Sequence, residues 1–376
     1  MNVGRSINQV SENGCRDSQA AAIEVRFPAD ARQYFVAGIR QHYLPRFLQR
    51  PFVNETGFTW LFRKNQPGVT VSTANVGLEK SFYTETDNTT VDDAITAEEK
   101  EFSRTTNRLH SSPRGKTNSS GIPRLLAHLE VRSRHIRQNF LQSTTSLYEK
   151  TIPVLNDTQR FGGLLSAHIK NDPTNLVEMV RDSLRDNGRS ESEAAAIASA
   201  IEQSLPDLLE RMAPELQTAA AGILQNLPET LRRAVKGAHI QALQKTIAPD
   251  VRAQWYEQLT FEIAEVSTND MILGDSAVLF QVDGPKQFKP AAEKGDVIVA
   301  AFLPLAPDRV LIGTHQPYYF DSSELRRAIA RCSLEFFIAS ADSDENAALA
   351  EAIGTDATML SESDMQRIAD EALTSE

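Results

Sequence analysis

The sequence predicts an α+β fold, in which strands from the two ends of the chain form a mixed sheet and a large helical segment is inserted between them. Strand-like alternation occurs at about residues 58–76 and again from Leu259 towards the C-terminus. Between these regions, over about residues 91–258, apolar residues recur at the three- or four-residue spacing of helices. Because early and late strands bracket a helical middle, one sheet built from both ends is the most economical topology.

The first predicted strands form a hairpin over about residues 58–76. Residues 58–63 are mostly β-branched or aromatic and nearly alternate, and Asn65-Gln-Pro-Gly has the composition of a turn. Val69 then resumes the strand pattern. Ahead of the hairpin, Pro45 is expected to start a helical turn, since proline suits the first position of a helix.

The helical segment is predicted to contain several separate helices. The patterns indicate helices over residues 91–108 and 124–148, and Ser190 is a candidate cap for an Ala-rich helix. Prolines 206, 214 and 228 are interpreted as sites where helices end. Residues 205–245 carry apolar positions at helical spacing, which predicts core packing or a surface for a protein partner: Leu216, Ala220, Ile223, Leu227, Leu231, Val235 and Ala238.

The last third of the chain returns to strand patterns. The predicted strands cover residues 259–266, 271–279, 297–303, 309–313 and 336–340. Asp321-Ser-Ser-Glu is a capping box that predicts a helix to about residue 335.

The domain organisation follows from composition along the chain. Residues 1–20 are polar and are expected to be a disordered tail. Residues 21–345 are expected to form a single domain that contains the helical insertion. Residues 346–376 are rich in Asp, Glu and Ala, which predicts short acidic helices and a frayed end.

Composition indicates a cytoplasmic protein with an ordinary hydrophobic core. The 376 residues are 41% hydrophobic and 24% charged, which is close to the globular average. No apolar run reaches the length of a membrane span, and residues 1–18 lack the apolar region of a secretory signal. Two cysteines, Cys15 and Cys332, are too few for a disulfide framework, so free thiols in a reducing compartment are expected.

Charge is distributed unevenly along the chain. Residues 1–150 contain 20 Lys and Arg against 15 Asp and Glu, whereas the remainder contains 19 against 35. The net charge of −11 argues against broad coating of nucleic acid, which needs concentrated positive charge. A local basic groove within residues 26–150 remains compatible with this distribution.

Several familiar catalytic motifs are absent from the sequence. It contains no Gly-x-Gly-x-x-Gly after a strand, no phosphate-binding Gly-x-x-x-x-Gly-Lys loop, no Gly-x-Ser-x-Gly elbow and no His-Glu-x-x-His. Nucleotide-driven motors, dinucleotide oxidoreductases, serine hydrolases and zinc proteases of the corresponding types therefore have little support. The sequence identifies neither a cofactor nor a metal.

A series of short motifs carries a family resemblance. His42-Tyr-Leu-Pro is followed by a Phe47-Leu pair and Phe52, and a later segment ends in Phe82-Tyr83. Further motifs lie at residues 91–99, 126–137, 273–278, 302–307 and 337–340. Over about residues 41–340 this pattern resembles a bacterial domain-of-unknown-function family numbered 4238. The resemblance implies a fold, a candidate set of residues and a role in bacterial defence or stress response, but no reaction.

Four residues in these motifs are candidate catalytic residues: His42, Glu99, Arg132 and Asp275. His42 would be a general base or metal ligand, or would fix a turn by hydrogen bonding to backbone carbonyls. Asp275 would ligate a metal together with His42, Glu98 or Glu99, or would accept backbone N–H groups. Arg132 would clamp a phosphate or carboxylate, or would pair with Glu98 or Glu99.

Two functions are compatible with these residues. The first is an interaction or sensor protein that presents its helices to a partner. The alternative is a hydrolase, metal-dependent and acting on a phosphodiester, which requires His42, Glu99, Arg132 and Asp275 to converge in one cleft. A closed Arg132–glutamate pair would favour the first function, and a basic cleft within residues 26–150 would indicate a phosphate-bearing substrate.

Overall fold

A computed structural model describes most of the chain from Arg40 onward. The described residues are 40–84, 89–157, 160, 162–163, 173–284, 287–293, 295–359 and 366–367. The predicted tail at residues 1–20 and most of the predicted C-terminal segment after residue 359 lie outside them.

The helices of the described residues alternate with short strands at both ends of the chain. The helices are α1 (Arg46–Gln49), α2 (Thr90–Ser111), α3 (Ile122–Arg132), α4 (Arg134–Asn156), α5 (Pro173–Asp186), α6 (Glu191–Lys245), α7 (Asp250–Glu257), α8 (Ser322–Cys332) and α9 (Asp344–Ala350). The strands are β1 (Arg40–His42), β2 (Thr59–Arg63), β3 (Val69–Val71), β4 (Leu78–Lys80), β5 (Gly115–Lys116), β6 (Thr260–Glu265), β7 (Leu273–Gly274), β8 (Leu279–Val282), β9 (Phe288–Lys289), β10 (Ile298–Ala306), β11 (Arg309–Thr314) and β12 (Phe336–Ala339).

The fold is α+β, as the sequence predicts. Strands from both ends of the chain do share a sheet, of order β3-β2-β12-β7. The expectation of one mixed sheet was wrong in its details. The described strands form three sheets, the other two being β1-β4 and β5-β6-β11-β10-β8-β9, and every pairing among them is antiparallel.

The predicted hairpin at residues 58–76 is confirmed. Thr59 pairs with Val71 and Leu61 with Val69, and Asn65 adopts a positive φ of 57° in the turn. Strand β2 then pairs with β12, where the buried rings of Phe62 and Phe337 stack at a centroid distance of 5.1 Å.

The region predicted as one strand at residues 271–279 contains two. Strand β7 ends at Gly274 and joins the sheet of β12, whereas β8 begins at Leu279 and joins the sheet of β10. Between them the chain turns through Ala277, whose φ is +61°. Apolar composition indicates burial of this segment, but it does not reveal that the segment changes sheets.

Helix α6 is continuous over 55 residues, so the helix ends predicted at prolines 206, 214 and 228 were wrong. A proline removes one backbone hydrogen bond and bends a helix without having to end it. The predicted start is correct, since Ser190 forms a capping box with Glu193. No helix in the described part of the chain is long and apolar enough to cross a membrane.

Helix α4 packs along α6, and the buried His239 joins α6 to the end of α3. Nε2 of His239 lies 2.8 Å from the carbonyl oxygen of Val131, and Nδ1 of the same ring lies 3.0 Å from Nη2 of Arg137. Arg137 donates only, so Nδ1 accepts and Nε2 carries the proton. Burial lowers the pKa of His239 to about 4, so the ring is neutral near pH 7.

This neutral histidine predicts that acid destabilises the fold. An unfolded histidine titrates near 6.5, so between pH 6.5 and 4 the unfolded chain binds a proton that the folded chain does not. Stability should therefore fall as pH falls through this window, by about 3 kcal/mol from His239. Urea unfolding at pH 7.0 and 4.5 would measure the loss. His239→Gln should reduce the loss, whereas substitution of the exposed His315 by Gln should leave it unchanged.

Candidate functional site

A cleft of about 590 Å³ opens between the β1–α1 segment and helix α2. Its lining contains four basic side chains and one carboxylate, so the cleft is positively charged although the whole chain is acidic. We call it the basic cleft, and it is lined by His42, Arg46, Phe47, Arg50, Thr96, Glu99, Lys100, Ser103 and Arg104.

The first wall of the basic cleft is held by a close backbone approach. After β1 the chain turns at Tyr43 and Leu44, whose N–H groups both donate to the carbonyl of Gly77 at 2.8 and 3.1 Å. Gly77 has a φ of +60°, and a Cβ at this position would lie 2.5 Å from Cβ of Leu44. The buried Gln49 donates from Nε2 to the carbonyls of Leu44 and Val76 at 2.7 and 3.1 Å, which anchors α1 beneath the cleft.

The second wall of the basic cleft is the polar face of α2. Thr96, Lys100 and Ser103 recur at the three- and four-residue spacing that places side chains on one helix face. The adjacent face carries Ile95 and Phe102, which are buried in the core. The amphipathic pattern of α2 therefore fixes which side chains line the cleft.

Arg132 lies beneath the cleft and joins its two walls. Its side chain is only 2% exposed. Nε donates to the hydroxyl of Tyr83 at 3.1 Å, Nη1 donates to Oε1 of Glu99 at 2.7 Å, and Nη2 donates to the carbonyl of His42. The guanidinium therefore positions both His42 and Glu99, but it is enclosed and does not present a face to a ligand in the cleft.

His128 completes the surroundings of Arg132. Its Nδ1 lies 2.8 Å from the carbonyl oxygen of Ile247, and its Nε2 lies 3.0 Å from Nη1 of Arg132. The arginine can only donate, so Nε2 accepts and Nδ1 carries the proton. Burial, assisted by the charge of Arg132, lowers the pKa of His128 well below its usual value. A neutral ring at this position orients the guanidinium without repelling it.

His42 lines the basic cleft, and one of its ring nitrogens is buried and has no hydrogen-bond partner among the described residues. Burial and the nearby charge of Arg46 lower the pKa of His42, which favours the neutral ring. The ring has a hydrogen bond to the backbone of Thr73, and its Nε2 has no hydrogen-bond partner among the described residues. A neutral imidazole with a free lone pair can accept a hydrogen bond or a proton.

Asp275 lies outside the basic cleft and has a structural role. Its buried carboxylate accepts the backbone N–H groups of Leu334, Glu335 and Phe336 at 2.8, 2.7 and 3.3 Å. It thus ties the start of β12 to the turn after β7. Asp275 therefore follows the alternative in which it accepts backbone N–H groups, and it is not among the residues that line the cleft with His42.

Arg132 pairs with a glutamate and does not clamp a ligand, which is the second of the two roles considered for it in the sequence analysis. Glu99 pairs with Arg132, and Glu98 pairs with the more exposed Arg124 at 2.9 Å. The structure therefore brings together His42, Glu99 and Arg132, with His42 and Glu99 on the cleft and Arg132 behind it. Sequence reasoning missed the four basic residues of the cleft, although their spacing was visible as two i, i+4 pairs: Arg46 with Arg50, and Lys100 with Arg104.

The comparison with known families decides the relationship of the chain. The model of a family described as a protein of unknown function, DUF4238, matches residues 40–331. The chain belongs to this family. The matched range contains the whole basic cleft and ends within α8, ahead of the motif at residues 337–340. No curated protein and no solved structure matches the chain.

Proposed function

We propose that this DUF4238 protein is a sensor that binds a phosphate-bearing ligand of nucleotide size in the basic cleft. The carrying observation is the pair of cations on each wall, Arg46 with Arg50 and Lys100 with Arg104, facing the same concave space. Opposed cations bracket an anion from two sides, and arginine forms strong charge-assisted hydrogen bonds to phosphate.

The size and other lining groups of the cleft support this ligand class. A volume of about 590 Å³ lies within the range of small-molecule sites. Thr96 and Ser103 add hydroxyl groups that can hydrogen-bond phosphate oxygens, and Phe47 adds an apolar contact for a base or another ring. Two cation pairs suit a ligand with more than one phosphate better than a single phosphate ion.

Sensing is favoured over hydrolysis because only His42 and Glu99, of the four residues named for hydrolysis, line the cleft. Arg132 is closed by Glu99, Tyr83 and His128, and Asp275 is occupied by backbone groups. A ligand in the cleft would contact Glu99. Because Glu99 is paired with Arg132 of α3, this contact would connect the cleft to α3. The wider role in bacterial defence or stress response, and a protein partner at residues 205–245, belong to the same proposal.

The structure describes only part of the surface proposed for a protein partner at residues 205–245. The side chains of Leu216, Ala220 and Ile223 lie outside the described residues. Leu231 and Val235 are half-buried in the structure, so they are available for packing on one side only.

The first test is titration of the full chain with ATP and with pyrophosphate. Lys100→Ala/Arg104→Ala should weaken binding by about tenfold or more, because each charge-assisted hydrogen bond contributes about 1.5–3 kcal/mol. Binding should also weaken as salt rises. The matched control is Arg233→Ala/Lys245→Ala, which removes the same two kinds of charge from exposed positions on α6 and should bind like the wild type.

Either of two results would contradict this proposal. One is the absence of binding of both probes by the wild-type protein at millimolar concentration. The other is equal binding by the wild type and the Lys100→Ala/Arg104→Ala variant. Hydrolysis of a phosphodiester such as bis(p-nitrophenyl) phosphate is not expected. If the wild type hydrolyses this substrate and His42→Ala does not, the protein is a hydrolase and the proposal of a sensor is wrong.

A further inference from the structure

A second positively charged depression lies on a different part of the protein, between residues 134–141 of α4 and residues 232–236 of α6. It has a volume of about 450 Å³, and we call it the α4–α6 groove. Four cations line it, Arg134, Arg137, Arg232 and Lys236, against the single carboxylate of Glu79. None of these residues lines the basic cleft.

The carboxylates near the groove do not balance its cations. Arg134 is paired with Glu335 at 2.6 Å and lies 3.5 Å from Glu79, and Arg232 is paired with Glu229 at 3.2 Å. The closest contact of Arg137 with a carboxylate is 3.9 Å, also to Glu79, so three carboxylates stand against four cations. Lys236 has no ion-pair partner among the described residues. A groove with this excess of positive charge is electrostatically complementary to an anion.

Arg137 is the most buried of the three arginines that line the groove. Its side chain is 12% exposed, and its guanidinium carbon lies 3.7 Å from the centre of the Phe82 ring. Nη2 is used by the carbonyl of Phe82 and by His239, while Nε is buried with no hydrogen-bond partner among the described residues. Burial lowers the pKa of Arg137 to about 10, as expected of a desolvated cation that lacks a close anion.

The groove also has an apolar side. Leu141 and Val235 line it among the cations. A neighbouring depression of about 420 Å³ shares Gln138, Leu141 and Arg232 with it and continues along the same two helices to Pro228. Glu149 and several neutral polar residues also line this depression, but most of its exposed lining surface is carbon. A ligand that fills both parts needs a charged end and an apolar body.

We infer that the α4–α6 groove is a second binding site, which takes an organic anion with a phosphate or carboxylate head and an apolar body. The head lies among Arg137, Arg232 and Lys236, and the apolar body extends past Leu141 towards Pro228. The site is independent of the ligand proposed for the basic cleft, since the two share no lining residue.

Octyl phosphate and octanoate, below their critical micelle concentrations, are suitable probes for titration of the full chain. Arg232→Ala/Lys236→Ala should weaken binding of the preferred probe by about tenfold or more. Arg233→Ala/Lys245→Ala is the matched control on the same helix. It is well matched because Arg232 and Arg233 are both exposed and both pair with Glu229, at 3.2 and 3.7 Å, but only Arg232 lines the groove.

The outcomes separate this site from the basic cleft. Retention of octyl phosphate binding in Lys100→Ala/Arg104→Ala, together with its loss in Arg232→Ala/Lys236→Ala, supports the inference. Tighter binding of octyl phosphate assigns a phosphate head, and tighter binding of octanoate assigns a carboxylate. The inference is overturned if the wild type binds neither probe, if the groove variant binds like its control, or if only the cleft variant loses binding.

Discussion

Replacement of Arg132 by methionine should destabilise the protein by about 3–5 kcal/mol, the usual cost of removing one partner from a buried ion pair. The substitution leaves Glu99 without its cation and removes the donors to the Tyr83 hydroxyl and the His42 carbonyl. Nε2 of His128 also loses its donor. Methionine fills a similar volume, so the loss reports the polar network more than a cavity. Urea unfolding would measure it as a lower midpoint with an unchanged slope.

Helices α2 and α3, which carry Glu99 and Arg132, also provide a matched control for Arg132. Arg124 is also on α3 and pairs with Glu98, the neighbour of Glu99, at 2.9 Å. Its side chain is 55% exposed, whereas that of Arg132 is 2% exposed. Arg124→Met should therefore cost less than about 1 kcal/mol, as expected for a solvent-exposed ion pair. Equal losses for the two variants would contradict the assignment of Arg132 as the central support of the cleft.

Asp275→Ala should destabilise the protein by about 3–4 kcal/mol, because it leaves three backbone N–H groups at the start of β12 without their acceptor. Ligand binding in the basic cleft should be unchanged at temperatures where the variant is folded, since Asp275 does not line the cleft. Unfolding and titration measured on the same preparation separate the two effects.

Asp308 provides a comparison for Asp275. Its side chain is 45% exposed and lies 3.6 Å from Nε of Arg309, so Asp308→Ala should change stability by less than about 1 kcal/mol. A catalytic role for Asp275 would give the opposite pattern to the one expected here: little loss of stability, and loss of ligand binding or turnover.

The parts of the fold that the sequence predicted correctly depend on interactions between near neighbours. The hairpin of β2 and β3 is determined by alternation and by the turn at Asn65. The start of α8 is determined by Asp321, whose side chain accepts the N–H groups of Ser323 and Glu324. Both signals lie within a few residues and do not depend on the rest of the chain.

The parts that were missed depend on contacts between distant residues. Arg132 contacts the carbonyl of His42, 90 positions earlier, and Asp275 accepts from Phe336, 61 positions later. No local pattern distinguishes an arginine that binds a ligand from one that supports a loop. The sequence therefore could not decide whether Arg132 pairs with a glutamate or binds a ligand. The fold decides this question.

The cations of the basic cleft illustrate an intermediate case. The spacing of Lys100 with Arg104 places both on one face of α2, and the same spacing places Arg46 and Arg50 on one face of α1 and the turn that follows it. That the two faces oppose each other follows only from the packing of α1 against α2. Sequence charge counts pointed to a basic first half of the chain, but they did not locate the cleft.

A crystal structure of the full chain with ATP would test the proposed function most directly. We expect ATP phosphate groups in the basic cleft, between Arg46 and Arg50 on one wall and Lys100 and Arg104 on the other. ATP bound only elsewhere, with no phosphate between the two pairs of cations, would contradict the proposed function.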